Sequence, residues 1–148
     1  MREKKIKIVI GTDHRGYNLK EFLIKINNIA KKNIEWIDVG TFSKKRTDYP
    51  IYAKLAIEKL FKENIKYSIL ICGSGIGMSI AANRYSKIYA GLVLTKEMAK
   101  SAKEDDNVNV LVLAADYTTN EKAIEIIDSW LNAKFKSGRY KKRINMLS

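Results

Sequence analysis

The sequence predicts an α/β fold in which a five-stranded parallel sheet is covered by helices on both faces. Apolar segments of strand type alternate with amphipathic segments of helical period five times along the 148 residues, an order typical of parallel strands joined by helices. The strand segments are largely apolar, as expected of strands buried on both faces. No repeat or linker interrupts the alternation, so we expect a single domain over 1–148.

The first half of the chain contributes three strands and two helices. The strand segments cover 5–10, 34–39 and 67–72. The second helix begins near Pro50, because proline suits the first turn of a helix. The first helix is predicted from apolar residues at helical spacing, which are Leu19, Phe22, Leu23, Ile26, Ile29 and Ala30.

The second half repeats this alternation. Two further strands, each followed by a helix, are predicted at 89–94 and 108–114. Thr118 and Glu121 form a capping-box pattern at the start of the last helix. Gly138 is predicted to end that helix.

The segment 69–83 carries the clearest chemical signal, because a strand ends there at the only cysteine, Cys72. Gly73, Gly75 and Gly77 follow at alternate positions before a helix begins. The backbone amides of such a loop, with the positive end of the helix, bind an anion or an oxyanion. A thiol beside that helix end is predicted to have a lowered pKa and to act as a base or a nucleophile.

Polar residues follow the other predicted strands as well. Ligands of parallel sheets bind beyond the carboxyl ends of the strands, where the strand order reverses. We therefore expect several residues to surround the Cys72 loop, and these are Asp13, His14, Thr41, Thr95 and Asp116.

This set of residues fits an aldose–ketose isomerisation of a small sugar phosphate. Such a reaction needs a base, donors for the enediolate oxygen and an acid/base group that opens the sugar ring. Cys72 is the candidate base, and Ser74 Oγ is placed to move a proton between substrate oxygens. The candidate anion hole is formed by the amides of Gly73, Ser74, Gly75, Ile76 and Gly77.

Arg139 and Arg143 are candidate phosphate ligands, because residues four apart share one face of a helical turn. They equally fit a solvated basic tail. His14 equally fits a hydrogen bond within its own turn, and Asp13 fits a helix cap. Cys72 by itself also fits a small apolar residue that ends a strand. A dinucleotide-binding turn is disfavoured, because the glycine spacing is G-x-G-x-G rather than G-x-G-x-x-G.

Composition excludes several other classes of function. The formal charge is +12, but the lysines are scattered, which favours a solvated surface over a nucleic-acid interface. One cysteine and one histidine argue against a disulfide and a metal site. The apolar run near the start is too short for a signal peptide or a membrane span. We expect a cytoplasmic protein without metal, redox cofactor, nucleic acid or membrane as a partner.

Several longer segments resemble the ribose-5-phosphate isomerase B family, whose relatives include the galactose-6-phosphate isomerase subunits. The similarity runs almost end to end, and the segments with Cys72 and with Thr47-Asp48-Tyr49-Pro50 are the most specific. The matching segments are 11–20 (GTDHRGYNLK), 38–41 (DVGT), 46–50 (RTDYP), 71–84 (ICGSGIGMSIAANR), 109–111 (NVL) and 138–139 (GR).

This resemblance implies a Rossmann-like three-layer fold and a homodimer or tetramer whose active site is shared between subunits, without metal or cofactor. It implies interconversion of ribose 5-phosphate and ribulose 5-phosphate in the pentose phosphate pathway, with Cys72 as the base. Asp13 would hold substrate hydroxyls, His14 would contact the phosphate and Tyr49 would line the site. The partner subunit would contribute its copies of the two phosphate-binding arginines, Arg139 and Arg143.

The chain departs from the family pattern in the half of the site that handles ring opening and phosphate. Asp105 and Asp106 stand where the family usually has His-Asn, so Asp105 would be an imperfect acid/base group and Asp106 a substrate-binding residue. Asp116 replaces a phosphate-binding arginine, and Arg15 is a candidate to compensate for it. Three alternatives stay open: an isomerase of another sugar phosphate, a subunit of a hetero-oligomeric isomerase, and a catalytically impaired sugar-phosphate-binding relative.

Overall fold

The computed structural model describes residues 5–147, which form one six-stranded sheet with helices on both faces. The strands are β1 (Lys5–Thr12), β2 (Asn28–Ile29), β3 (Lys32–Asp38), β4 (Tyr67–Cys72), β5 (Ala90–Leu92) and β6 (Val110–Ala114). The helices are α1 (Tyr17–Leu23), α2 (Tyr49–Lys62), α3 (Ile76–Ala82), α4 (Lys96–Asp106), α5 (Asn120–Asn132) and α6 (Arg139–Asn145). Within this described range, no helix has the length and apolar character needed to cross a membrane.

β4 lies near the middle of the sheet, whose strand order is β2-β3-β1-β4-β6-β5. All neighbouring strands except β2 and β3 are parallel, so the predicted parallel α/β class is confirmed. The chain moves outward from β1 to β3 and then returns past β1 to β4, which reverses the strand order between β1 and β4. The carboxyl ends of these two strands are where a doubly wound sheet binds its ligands.

The sixth strand, β2, lies where the sequence predicts the end of the first helix. α1 ends at Leu23, and Ala30 and Lys31 adopt left-handed φ angles of 58° and 57°. These two residues form a hairpin turn, because Ile29 pairs with Lys32 across it. Ile29 is only 3% exposed. Ile29 is therefore apolar because it is buried in the sheet, and its position at helical spacing does not indicate a helix. The helix is shorter than predicted.

The central strands place successive side chains on opposite faces, which gives two separate apolar layers. On one face, six strand residues pack with α1, α4 and α5, and these are Ile8, Ile10, Ile69, Ile71, Leu111 and Leu113. On the other face, five strand residues pack with α2 and α3, and these are Val9, Leu70, Cys72, Val110 and Val112. The Cys72 side chain therefore points toward α2 and α3.

The end of the chain differs from the prediction in two details. Thr119, not Thr118, caps α5 by accepting a hydrogen bond from the amide of Lys122 at 3.2 Å. α5 already ends at Asn132, and Gly138, with a φ of 56°, precedes α6 instead of ending α5. An extended segment after α5 separates the two helices, so the C-terminal arginines lie on a helix of their own.

Candidate active site

Cys72 ends β4, and it is only 4% exposed. The backbone amides of Met78, Gly75 and Gly77 lie near its sulfur and lower the pKa of the thiol. Gly75 makes the turn from β4 into α3, with a φ of 77° that favours glycine. The loop and the first turn of α3 therefore place three amides near the thiol, an arrangement that can stabilise negative charge on the sulfur or on a neighbouring oxygen.

Burial raises the pKa of the Cys72 thiol above its ordinary value, and the negative charge of Asp13 raises this pKa further. The amides of Met78, Gly75 and Gly77 lower the pKa, but they do not outweigh the burial. The predicted lowering of the pKa is therefore wrong. The sequence shows the helix end beside the thiol, whereas it does not show how completely α2 and α3 cover the sulfur.

Ser74 and Ile76 lie on the exposed side of the same loop. Ser74 Oγ accepts a hydrogen bond from the amide of Ile76 at 3.2 Å, so its own O–H group is left to donate toward a ligand. Tyr49 begins α2, and its ring packs directly on Gly77. The loop thus has a polar, solvent-facing side at Ser74 and an aromatic wall at Tyr49.

Asp13 and His14 lie beyond the end of β1, beside the Cys72 loop. Asp13 is 6% exposed, and its Oδ1 accepts a hydrogen bond from the amide of Arg15 at 3.0 Å. It therefore caps the 3-10 turn His14–Gly16 rather than α1. His14 Nδ1 lies 3.2 Å from both the amide nitrogen and the carbonyl oxygen of Thr47. The imidazole is thus held against the connection between β3 and α2.

A buried ion pair positions that connection. Lys20 is fully buried, and its Nζ lies 2.6 Å from Asp38 Oδ2, while Asp38 Oδ1 accepts a hydrogen bond from the amide of Gly40 at 2.9 Å. The amide of Thr41 in turn donates to the carbonyl of Thr12 at 2.8 Å. Both carboxylate oxygens of Asp38 are therefore satisfied, which a buried charge requires. The arrangement fixes the connection beside the end of β1.

Arg15 and Asp116 form an ion pair with a side-chain hydrogen bond on the other side of the Cys72 loop. This contact raises the pKa of the Arg15 guanidinium, with Asp116 as the main cause. The amide of Asp116 also donates to the carbonyl of Gly73 at 3.0 Å. Arg15, the candidate to compensate for the replaced arginine, is therefore paired with the acid that stands at that position.

Asp105 and Asp106 lie near the amino ends of the parallel strands, at the opposite end of the sheet from the Cys72 loop. α4 starts beyond the carboxyl end of β5 and runs back to the amino end of β6, so its last residues are far from the Cys72 loop within one chain. Asp105 Oδ1 lies 3.4 Å from Lys136 Nζ, and this contact is the main cause of a raised pKa of Lys136.

Arg139 and Arg143 lie on α6, which packs beside α4. Three cations surround the ring of Tyr140: Lys136 Nζ, Arg139 Cζ and Arg143 Cζ are 5.4, 5.0 and 5.5 Å from its centroid. Arg139 also donates to the Tyr140 hydroxyl at 3.0 Å. Arg139 and Arg143 on α6, with Lys136 just before it, thus form a compact positive cluster near Asp105.

The structure thus divides the predicted residues into two groups. Around the thiol it brings together Cys72, Gly73, Ser74, Gly75, Ile76, Gly77, Asp13, His14 and Tyr49. At the ends of α4 and α6 it places Asp105, Asp106, Arg139 and Arg143. Sequence reasoning missed the roles of Lys136 and Thr47, which contact Asp105 and His14: Lys136 lies outside every motif, and Thr47 lies in the 46–50 motif but contacts His14 through its backbone. No group of three or more metal-ligating side chains occurs within 5–147.

Comparisons with known proteins identify a family that the chain matches over nearly its whole length. The sequence profile of the Ribose/Galactose Isomerase family matches residues 8–147. Ribose-5-phosphate isomerase B of Escherichia coli is 34% identical over 142 residues, which cover 96% of this chain and 94% of that protein. The crystal structure of ribose 5-phosphate isomerase from Thermotoga maritima matches with a TM-score of 0.85 and 39% identity, covering 96% of this chain and 97% of that one. Ribose-5-phosphate isomerase B from Mycoplasma genitalium with bound ribulose 5-phosphate matches with a TM-score of 0.83 and 34% identity, covering 99% and 95%.

Proposed function

The chain belongs to the Ribose/Galactose Isomerase family, and from this premise we propose that it interconverts ribose 5-phosphate and ribulose 5-phosphate. The observation that carries the proposal is the thiol of Cys72 at the carboxyl end of β4, with three backbone amides of the loop and the first turn of α3 near it. The relatives named ribose-5-phosphate isomerase B, one of them with ribulose 5-phosphate bound, support the choice of substrate.

Cys72 is the base in this proposal. As a thiolate it removes the proton from C2 of the open-chain aldose, which leaves an enediolate, and as a thiol it returns that proton to C1. Its raised pKa makes the thiolate scarce at neutral pH but also a stronger base once formed, since basicity follows pKa. The amides of Met78, Gly75 and Gly77 support the step because they favour the thiolate in a buried site.

The enediolate needs donors and a proton carrier. The loop amides from Gly73 to Gly77, including Ile76, are the proposed anion hole, because they are rigid donors beside the reacting carbon. Ser74 Oγ is proposed to move the proton between O1 and O2, and its exposed position with a free O–H group supports that role. Asp13 is proposed to hold substrate hydroxyls, His14 to contact the phosphate and Tyr49 to close the wall of the site.

We further propose that the complete site forms between two copies of the chain. Asp105, Asp106, Arg139 and Arg143 lie at the edge opposite Cys72, so they reach a substrate at Cys72 only from a second protomer. A two-fold dimer gives this arrangement twice, since each half then meets the other. Exposed apolar side chains support such an interface, and these are Ile76, Ile80, Leu94 and Met98, at 57, 60, 38 and 44% exposed.

Asp105 is the proposed ring-opening group, and Arg139 and Arg143 are the proposed phosphate ligands. Each arginine already lies in a positive cluster around Tyr140, which suits a dianion. A second candidate function is isomerisation of a different sugar phosphate. It is favoured by Asp116, which places a negative carboxylate beside Gly73 where the family usually has a positive arginine.

A turnover assay tests the proposal. The purified protein is incubated with ribose 5-phosphate and with a panel of other pentose and hexose phosphates, next to the Cys72→Ala variant. We expect formation of ribulose 5-phosphate by the natural protein and a loss of at least about 10³-fold in the variant. Absence of isomerisation on every substrate would refute the proposal, whereas turnover of a hexose phosphate alone would favour the second candidate.

A further inference from the structure

Arg15 and Asp116 are positioned together over Gly73, the first residue of the Cys72 loop. A Cβ atom at Gly73 would lie 2.9 Å from Arg15 Nε, 3.2 Å from Arg15 Cζ and 3.0 Å from Asp116 Oδ2. The ion pair therefore occupies the space that any larger side chain at this position would take. The side chains are 52% and 38% exposed, so the pair faces solvent beside the thiol and is accessible to a ligand.

The backbone of each partner is anchored to the site. The amide of Arg15 donates to Asp13 Oδ1 at 3.0 Å, and the amide of Asp116 donates to the carbonyl of Gly73 at 3.0 Å. His14 and Arg15 are adjacent in sequence, but their side chains diverge: His14 contacts Thr47, whereas Arg15 contacts Gly73 and Asp116. The pair is thus on a different wall from His14.

The charges of the pair cancel, which limits its attraction for a phosphate. Its hydrogen-bonding capacity remains, because a guanidinium has five N–H donors and a carboxylate has two acceptor oxygens. A sugar hydroxyl both donates and accepts, so it can donate to Asp116 and accept from Arg15 at the same time. A phosphate dianion would only accept, and it would be repelled by Asp116.

We propose that Arg15 and Asp116 act as one element that binds a hydroxyl group of the sugar, with Arg15 as donor and Asp116 as acceptor and as the residue that positions the guanidinium over Gly73. This inference rests on the proposed sugar-phosphate substrate. It assigns the pair to the sugar part of the ligand and leaves the phosphate to other residues. It also explains why the carboxylate of Asp116 and the guanidinium of Arg15 lie together at this loop.

Calorimetric titration tests the inference, with ribose 5-phosphate and inorganic phosphate as separate probes. In Arg15→Met and Asp116→Asn we expect ribose 5-phosphate to bind about tenfold or more weakly, since charge-assisted hydrogen bonds are lost. Inorganic phosphate is expected to bind Arg15→Met within about twofold of the natural protein, and Asp116→Asn equally well or more tightly. Arg139→Ala is the opposite case, in which the affinity for both probes falls.

Lys59→Met and Glu63→Gln are matched controls. Lys59 and Glu63 form an ion pair of similar exposure, 42% and 35%, at the far end of α2, and neither variant is expected to change either affinity. Because both pairs are largely exposed, melting temperatures should change little in all four variants. Equal losses for phosphate and ribose 5-phosphate in Arg15→Met would overturn the inference, as would unchanged sugar affinity. Binding is measured apart from turnover, so failure of the isomerase assay with these affinity changes intact would refute only the proposed reaction.

Discussion

The ring of Tyr49 packs on Gly77 so closely that a Cβ atom at position 77 would be 2.7 Å from Cζ of the ring and 2.8 Å from Cε1. Real Cβ atoms do not come so close to a ring, so any larger side chain at this position requires the ring to move. Since the amide of Gly77 is one of those that lower the pKa of the Cys72 thiol, the tyrosine packs on a part of the chain that acts on the thiol. The contact joins the start of α2 to the start of α3.

Gly77→Ala tests this contact. An added methyl group in a packed site costs about 1–3 kcal/mol, whereas alanine in a helix gains about 1 kcal/mol over glycine, so we expect a modest net destabilisation in urea unfolding. We also expect turnover to fall more than stability does, because the ring must move away from the loop. In the double variant with Tyr49→Ala the cost of Gly77→Ala should disappear. A cost that persists in the double variant would show that the ring is not its source.

The titration of Cys72 gives a second prediction. Because burial raises the pKa of this thiol, kcat/KM should keep rising with pH beyond the ordinary cysteine value of about 8.5. The rate of alkylation by iodoacetamide should show the same midpoint, and ribose 5-phosphate should protect the thiol. A midpoint below about 8 in both experiments would contradict the prediction.

The same shift predicts how stability depends on pH. The folded-state pKa is the higher one, so the thiol of the unfolded chain ionises first as the pH rises. The contribution of Cys72 is therefore complete below about pH 8.5 and is lost as the pH rises toward the folded-state pKa. Cys72→Ala should remove this part of the pH dependence of unfolding, which urea titrations on both sides of pH 8.5 will measure.

The sequence was sufficient to predict the features that depend on local pattern. The alternation of apolar segments predicts the parallel sheet, and the glycine spacing predicts a tight loop that places amides beside Cys72. These inferences hold because a few neighbouring residues are enough to show how often a side chain is buried along a strand or helix. They are also enough to show where a tight turn needs glycine. The α1 segment shows the limit, since Ile29 is buried in β2 and not in a helix.

Features that depend on distant parts of the chain could not be predicted. The pKa of Cys72 is set by helices that cover it, and the contact between Arg15 and Asp116 joins residues 101 positions apart. The pairing of Lys136 with Asp105 likewise depends on the path of the chain after α5. Sequence reasoning linked Arg15 to the arginine that Asp116 replaces, but only the fold shows that the two side chains form an ion pair.

Asp105→His tests the proposed ring-opening group. A histidine near the end of α4 would supply an acid/base group that titrates near neutral pH, and general acid/base catalysis contributes about 10²- to 10⁴-fold to the step that it assists. We expect turnover of ribose 5-phosphate, which is mostly cyclic, to rise by about tenfold or more. Asp105→Asn is the matched control, because it also removes the charge next to Lys136 but cannot exchange a proton. Equal rates in the two variants would show that position 105 does not open the ring.

Complementation between two inactive variants tests whether the site is shared. Cys72→Ala removes the proposed base from one half of the site, and Arg139→Ala removes a proposed phosphate ligand from the other half. In a mixed dimer, one of the two sites then carries both substitutions and the other carries neither. Equal co-expression gives half mixed dimers with one intact site each, so activity should return to about a quarter of the natural level. Cys72→Ala mixed with Cys72→Ser is the control that should stay inactive, because every site then lacks the proposed base. If the first mixture also stays at background although mixed dimers form, the two halves do not combine across protomers.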